Sequence, residues 1–254
     1  MKGLILAGGE GTRLRPLTYV LPKSLLPIYD KPLVFYPLIT LLEAGIREIV
    51  ILTDTNYQER FKKLLGTGER FGAQFYYVTQ DAPLGIAHAV AQAEPYCRGD
   101  KLAVVLGDNI FEDNLKQAVK SFEKQKIFTS LGPKGGAKLV LKKVPDPERF
   151  GVVEFEGECV KGIEEKPHKP KSNWITTGMF MYDERVFDII KTLKPSARGE
   201  YEITDVNNFY VKEGTVTYEK LKKAWFDVGT IEARHEACKF IASSSHLWKK
   251  RLRF

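Results

Sequence analysis

Residues 3 to 15 read Gly-Leu-Ile-Leu-Ala-Gly-Gly-Glu-Gly-Thr-Arg-Leu-Arg, an apolar run that breaks into a glycine loop and closes on a cation. Gly8, Gly9 and Gly11 lack Cβ atoms and let backbone N–H groups come close to an oxyanion, while Thr12 and Arg13 add a hydroxyl and a guanidinium, so the loop suits phosphate. Two familiar nucleotide loops do not fit. Read from Gly9, Leu14 stands where a dinucleotide fingerprint needs its third glycine, and no Gly-Lys-Ser/Thr follows as a Walker loop requires. Lys23 lies in a proline-punctuated connection, Pro22-Lys23-Ser24-Leu25-Leu26-Pro27, where it and Arg13 are placed to close on a triphosphate from opposite sides.

Carboxylates come next. The run Leu102 to Leu106 reads as a buried strand and is followed by Gly107-Asp108-Asn109, which puts Asp108 where open sheets place ligands. A hard cation such as Mg²⁺ takes one or two carboxylates together with water and phosphate oxygens, so Asp108 is a candidate ligand; the alternative is a cap on a helix starting near Glu112. Asp227 follows Ala224-Trp225-Phe226 and suits either a second metal ligand or a turn before the last helix. In Glu164-Glu165-Lys166-Pro167, strand alternation puts Glu164 and Lys166 on one face and Glu165 on the other, leaving Lys166 for phosphate and Glu165 for sugar hydroxyls. Gln80 offers a donor and an acceptor that complement the N3–H and O4 edge of thymine or uracil, and Gly85 lets backbone pack near such a ring.

The elements that must position these groups alternate regularly in the first half. Strands are predicted at 2–6, 48–53, 74–79 and 102–106, with helices near 34–44, 56–65, 84–94 and 113–125. This is the pattern of a doubly wound α/β sheet, mixed and mostly parallel, with ligands at strand C-terminal ends. Beyond residue 130 the strands 138–143, 152–155, 159–164 and 175–182 form a β-rich, substrate-facing lobe, and helices return at 183–192, 203–213 and 230–242. No Ser/Gly-rich linker intervenes, so residues 1–242 read as one domain with a nucleotide-binding half (1–130) and a sugar-phosphate half (131–242), followed by a basic tail, 243–254.

Of the net charge of +7, four units come from Lys249, Lys250, Arg251 and Arg253, leaving +3 on a body that handles small anions and not nucleic acid. Trp248, Leu252 and Phe254 interleave with that charge, and a frayed, solvated end is expected there in preference to a short membrane-surface or partner-binding helix. Cys97, Cys159 and Cys238 are scattered as reduced thiols, His235 and Cys238 alone make no zinc site, and no apolar run is long enough for a signal or membrane-spanning helix. A cytoplasmic protein without a membrane partner is expected.

Taken in order, these segments resemble the sugar-1-phosphate nucleotidyltransferases, and among them the glucose-1-phosphate thymidylyltransferases. The resemblance spans residues 2–242 and rests on Leu-Ala-Gly-Gly-Glu-Gly-Thr-Arg-Leu (6–14), Leu-Leu-Pro-Ile-Tyr-Asp-Lys-Pro (25–32), Leu-Gly-Asp-Asn (106–109), Glu-Glu-Lys-Pro (164–167) and Glu-Ile-Thr-Asp-Val-Asn (202–207). It implies a Rossmann-like nucleotidyltransferase fold and a reaction of dTTP with glucose-1-phosphate, giving dTDP-glucose and pyrophosphate for activated-sugar synthesis of the dTDP-rhamnose type. It implies triphosphate on Gly8, Gly9, Gly11, Thr12, Arg13 and Lys23, the base on Gln80 and Gly85, and Mg²⁺ on Asp108 and Asp227. On the sugar side, Asn109 and Gly151 would touch the nucleotide sugar, and Glu165, Lys166, Thr176 and Gly178 would line the hexose phosphate site.

The chain departs from that family in three ways. It stops soon after residue 242, where longer bacterial members continue with helices tied to assembly and regulation, so feedback control and a tetramer are not expected and a homo-oligomer stays open. Phe150 replaces a usual Tyr and removes a hydroxyl near the sugar; Thr176 replaces a usual Val, after a bulkier Trp174-Ile175. UTP is the nearest alternative to dTTP, because the two bases differ by one methyl worth only ~1–3 kcal/mol. A nucleotide-sugar-binding protein without turnover is a second alternative, and the set Arg13, Lys23, Asp108, Lys166 and Asp227 argues against it.

Overall fold

The computed structural model describes residues 1–129 and 132–251. They divide into two compact units that interleave along the chain: Lys2–Pro83, Val105–Lys116 and Lys223–Phe254 form one, Leu84–Val104 and Gln117–Lys222 the other. No helix among the described residues is long and apolar enough to cross a membrane.

The glycine-loop unit is built on parallel strands. Strand β1 (Lys2–Leu6) pairs with β2 (Glu48–Asp54), which pairs in turn with β3 (Gln74–Gln80), both in parallel. Parallel strands are covered on both faces, and the sequence complies: Leu4, Ile5 and Ile49 through Leu52 are all fully buried. Burying each such side chain contributes roughly 1.5–3 kcal/mol, enough to pin the register and therefore where each strand ends. Because the strands run the same way, the glycine loop after Leu6, Asp54 and Gln80 all emerge at one edge, with Asp54 and Gln80 directly paired. Helices α1 (Phe35–Ala44) and α2 (Gln58–Leu65) make the crossovers that parallel pairing requires. Strand β4 (Leu102–Leu106) is divided between the units, and β5 (Asn109–Phe111) belongs to this one.

The other unit is mixed. The helical stretch predicted at 84–94 is two short helices, α3 (Ile86–Ala91) and α4 (Glu94–Cys97), because Pro95 suits a helix start and not an interior. Strand β6 (Ala137–Lys143) pairs antiparallel with β9 (Trp174–Tyr182), and β7 (Gly151–Glu156) pairs antiparallel with β8 (Cys159–Glu165). A strand the sequence pattern did not single out, β10 (Val216–Lys220), runs parallel to β6. Its alternation is shallow, with no fully buried residue, and periodicity overlooks such a strand. Helix α5 (Lys116–Glu123) straddles the division between units, and α6 (Val186–Ile190) and α7 (Ile203–Lys212) complete the β-rich unit.

The glycine-loop unit ends with β11 (Trp225–Asp227), α8 (Ile231–Ser243) and α9 (Ser245–Arg251). The frayed end expected from sequence is therefore corrected over Ser245–Arg251. Trp248 is 2% exposed and meets the Tyr36 ring edge-on at 5.2 Å, and Arg251 grips both carboxylate oxygens of Glu43. One large aromatic burial outweighs the charge pattern that suggested solvation. Leu252, Arg253 and Phe254 lie outside the described residues, as do the side chains of Lys249 and Lys250.

Candidate active site

The glycine loop leaves β1 through two left-handed residues, Gly9 at φ 108° and Gly11 at φ 60°, the second opening the short turn Thr12–Leu14 that carries Arg13. Lys23 stands in a similar turn, Lys23–Leu25, entered through Pro22. Gly107 is the residue that brings β4's exit against this loop. A Cβ there would fall 2.7 Å from the Leu6 carbonyl oxygen and 2.8 Å from Ser24 Oγ, so only glycine lets Asp108 arrive beside Lys23.

The result is a buried charge cluster. Lys23 Nζ donates to Asp108 Oδ2, and the two side chains are only 19% and 11% exposed. Asn109 Nδ2 donates to the other Asp108 oxygen at 2.9 Å, and Asn109 Oδ1 in turn accepts from Trp225 Nε1 at 2.7 Å. Strands β5 and β11 pair antiparallel with Asn109 opposite Asp227, and the Asp227 charge reaches Lys23, so this second carboxylate is near the ion pair and is not an isolated turn residue. Arg13 completes the cluster: a Cβ on Gly229 would meet Arg13 Nη2 at 2.9 Å and Asp227 Oδ2 at 3.4 Å.

Burial works against both members of the ion pair, and their mutual attraction wins. Burial lowers the proton affinity of Lys23, yet Asp108 and then Asp227 raise it above the usual lysine value, with Arg13 opposing. Burial raises Asp108, yet the Lys23 charge and hydrogen bond, aided by Asn109, hold its carboxyl below the usual range. Both groups are ionised at neutral pH.

Gln80 is 8% exposed, and its Nε2 donates to Asp54 Oδ1 at 2.9 Å; the other Asp54 oxygen accepts the Gly9 N–H at 2.9 Å. One loop N–H is thus engaged within the protein. Sequence reasoning missed Asp54, although it ends strand β2 by the same rule that singled out Asp108 after β4.

The remaining sequence candidates lie in the other unit. Gly85, at φ 103°, packs so closely on Tyr201 that a Cβ would come 2.6 Å from the Tyr201 carbonyl oxygen. Gly151 opens space among oxygens: a Cβ would meet Thr176 Oγ1 at 2.8 Å, Thr204 Oγ1 at 3.3 Å and Glu165 Oε2 at 3.4 Å. Thr204, also missed, donates to Glu165 Oε2 at 2.6 Å. Gly178 is buried within β9, beyond Thr176. The alternation expected through Glu164-Glu165-Lys166 fails at its last member. Strand β8 stops at Glu165, Lys166 turns to φ 45°, and its Nζ comes 3.8 Å from Glu165 Oε1, so the two charges expected on opposite faces are near neighbours.

The family model for nucleotidyl transferases matches residues 2–244. The glucose-1-phosphate thymidylyltransferase of Neisseria meningitidis is 44% identical over 97% of this chain and 84% of its own length, and that of Mycobacterium tuberculosis is 43% identical over 95% and 82%. A Bacillus anthracis protein assigned as a glucose-1-phosphate thymidylyltransferase and crystallised with sucrose superposes with a TM-score of 0.88 at 43% identity, covering 94% of each chain. A UDP-glucose pyrophosphorylase solved with UDP-glucose gives 0.81 at 26% identity over 96% of this chain and 98% of that one. Matched by that family model over nearly its whole length and 43–44% identical to thymidylyltransferases over 95% or more of its residues, the chain belongs to the nucleotidyl transferase family.

Proposed function

We propose that the protein transfers the thymidylyl group of dTTP to glucose-1-phosphate, releasing pyrophosphate and forming dTDP-glucose, and that it does so in the cytoplasm. The observation that carries this reading is the Lys23–Asp108 pair with Arg13 and Asp227 beside it, at the C-terminal ends of strands that also deliver the glycine loop. A phosphate oxygen of the sugar phosphate attacks the α-phosphorus in line, and pyrophosphate leaves from the opposite side. The nucleophile is already an anion, so no residue has to remove a proton. What the chain supplies is position and charge: Arg13, Lys23 and the glycine-loop N–H groups hold the triphosphate, and Lys166 neutralises the incoming phosphate. Glu165 accepts sugar hydroxyls, oriented by Thr204, and Gly151 leaves them room.

The donor set suits a hard divalent cation. Asp108 is ionised and oriented by Lys23 and Asn109, and Asp227 lies on the paired strand, which gives two carboxylates as Mg²⁺ takes them when phosphate and water complete its shell. Bound to Asp108 and Asp227, Mg²⁺ would supply charge neutralisation on the phosphate oxygens.

Gln80 lines a cavity of about 200 Å³ together with Gly9, Asp54 and Pro83, and its amide oxygen, with the Nε2 hydrogen not given to Asp54, reads the pyrimidine edge. The test is pyrophosphate release with glucose-1-phosphate and Mg²⁺, run in parallel with dTTP, UTP, CTP, ATP and GTP. Highest kcat/KM with dTTP is expected; a purine preference contradicts the reading of Gln80, and no release with any nucleotide contradicts the activity.

A further inference from the structure

Asp54 touches two parts of the glycine-loop unit at once. Its Oδ2 accepts the Gly9 N–H and its Oδ1 accepts from Gln80 Nε2, both at 2.9 Å, so neither oxygen is free to swing away. A carboxylate has acceptors only, so the amide of Gln80 can face it with its NH₂ end and not with its oxygen. Gly8 closes the other side: a Cβ there would land on Gln80 Nε2 and 3.0 Å from Asp54 Oδ1. Gln80 Oε1 is left without a protein partner among the described residues, and Asp54 and Gln80 line the same cavity.

We propose that Asp54 is a positioning residue that fixes which way round Gln80 presents its carboxamide and thereby selects among pyrimidine nucleotides; this rests on Gln80 reading the base. The chemistry of the bases makes orientation decisive. Thymine and uracil show an N3–H donor beside an O4 acceptor, whereas cytosine shows an N3 acceptor beside an N4 amino donor. An amide held one way complements the first pattern, and the same amide reversed complements the second. With Asp54 in place, reversal would set Gln80 Oε1 against a carboxylate oxygen with no proton between them, a buried repulsion with no compensating bond.

Asp54→Asn tests this with almost no change in size. The new side chain has one acceptor and one donor; with its oxygen kept on the Gly9 N–H, its NH₂ faces Gln80 and favours the reversed amide. The readout is kcat/KM for dTTP and for CTP on one preparation, because their ratio does not depend on the fraction of protein that is folded. Asp54→Asn is expected to lower the dTTP-to-CTP ratio roughly 10-fold or more, with the change carried by KM. Asp54→Ala, which releases the amide without reversing it, lowers the ratio less. Gln80→Ala separates the two layers of the argument. If it leaves the ratio unchanged, Gln80 does not read the base and the proposal falls with that reading. If Gln80→Ala collapses the ratio while both Asp54 variants keep it, the base reading stands and the proposal is overturned. A merely structural role for Asp54 would depress turnover with both nucleotides alike and is that second outcome.

Discussion

Two glycines, Gly107 in the glycine-loop unit and Gly151 in the β-rich unit, make room in different ways. The space at Gly107 is walled by the Leu6 carbonyl and Ser24, and it delivers Asp108 into a buried ion pair. The space at Gly151 is walled by the side chains of Thr176, Thr204 and Glu165, with the cation Lys166 half exposed beside them. Backbone cannot rotate out of the way and side chains can. The first arrangement is preset, as charge stabilisation in a transition state requires; the second can adjust, as selection among hydroxylated substrates requires. Changes in the first should appear in kcat, and changes in the second in the KM of the sugar phosphate.

The largest effect is expected at Lys23. Lys23→Ala removes a cation from the triphosphate and leaves Asp108 buried without its counter-charge, so kcat should fall by about 100-fold or more. Stability should fall as well, by on the order of 3 kcal/mol, read as a lowered midpoint in thermal or urea unfolding. Arg13→Ala should match the loss of activity, because it removes the other cation of the cluster beside Asp227. Equal stability of the Lys23→Ala and wild-type proteins would mean that the pair is not preset. Next comes Gly107→Ala, whose Cβ meets a carbonyl oxygen that has no rotamer to escape into. It should cost roughly 10-fold to 100-fold in kcat, with the KM for glucose-1-phosphate little changed.

The same contrast explains what could be read in the sequence. In the glycine-loop unit the proposed chemistry sits where buried parallel strands end, so Gly8 to Arg13, Gln80 and Asp108 could be singled out as candidates from apolar runs and the residues that follow them. Asp54 obeys the same rule, directly after the strand predicted at 48–53, but nothing in the sequence says that its two oxygens serve two different elements. In the β-rich unit, proximity is set by antiparallel register and by one left-handed residue, Lys166, neither of which follows from composition or period. Thr204 sits near the start of α7, 39 residues from Glu165, and only the packing of that helix brings them together. The pairing of β5 with β11, which turned Asp227 from an ambiguous turn residue into a neighbour of Asn109, is likewise a long-range fact.

Smaller effects are expected in the β-rich unit. Gly151→Ala crowds Thr176 Oγ1 and approaches Glu165, but the threonine can rotate. The KM for glucose-1-phosphate should rise roughly 10-fold while kcat stays within about twofold, as for loss of space in an adjustable pocket. A collapse of kcat instead would show that this unit is as preset as the other and would erase the distinction drawn above.

Thr204→Val should have the smallest effect and sharpens the comparison most. Valine keeps the branched shape of threonine and removes only the hydroxyl that donates to Glu165 Oε2 at 2.6 Å, so packing is preserved and the carboxylate loses one restraint. Glu165 is only partly buried and can recover some of that bond from water, which limits the loss to about 0.5–1.5 kcal/mol, or roughly 2-fold to 12-fold in kcat/KM for glucose-1-phosphate. With Glu165 orienting the sugar and not the nucleotide, as proposed, the KM for dTTP should not move, and Thr204→Ser should restore the lost fraction by returning the donor. Initial-rate measurements with each substrate varied separately decide the matter. If the KM for dTTP rises in parallel, Thr204 supports the whole site and not the sugar carboxylate alone, and the assignment of adjustable sugar selection to this cluster fails.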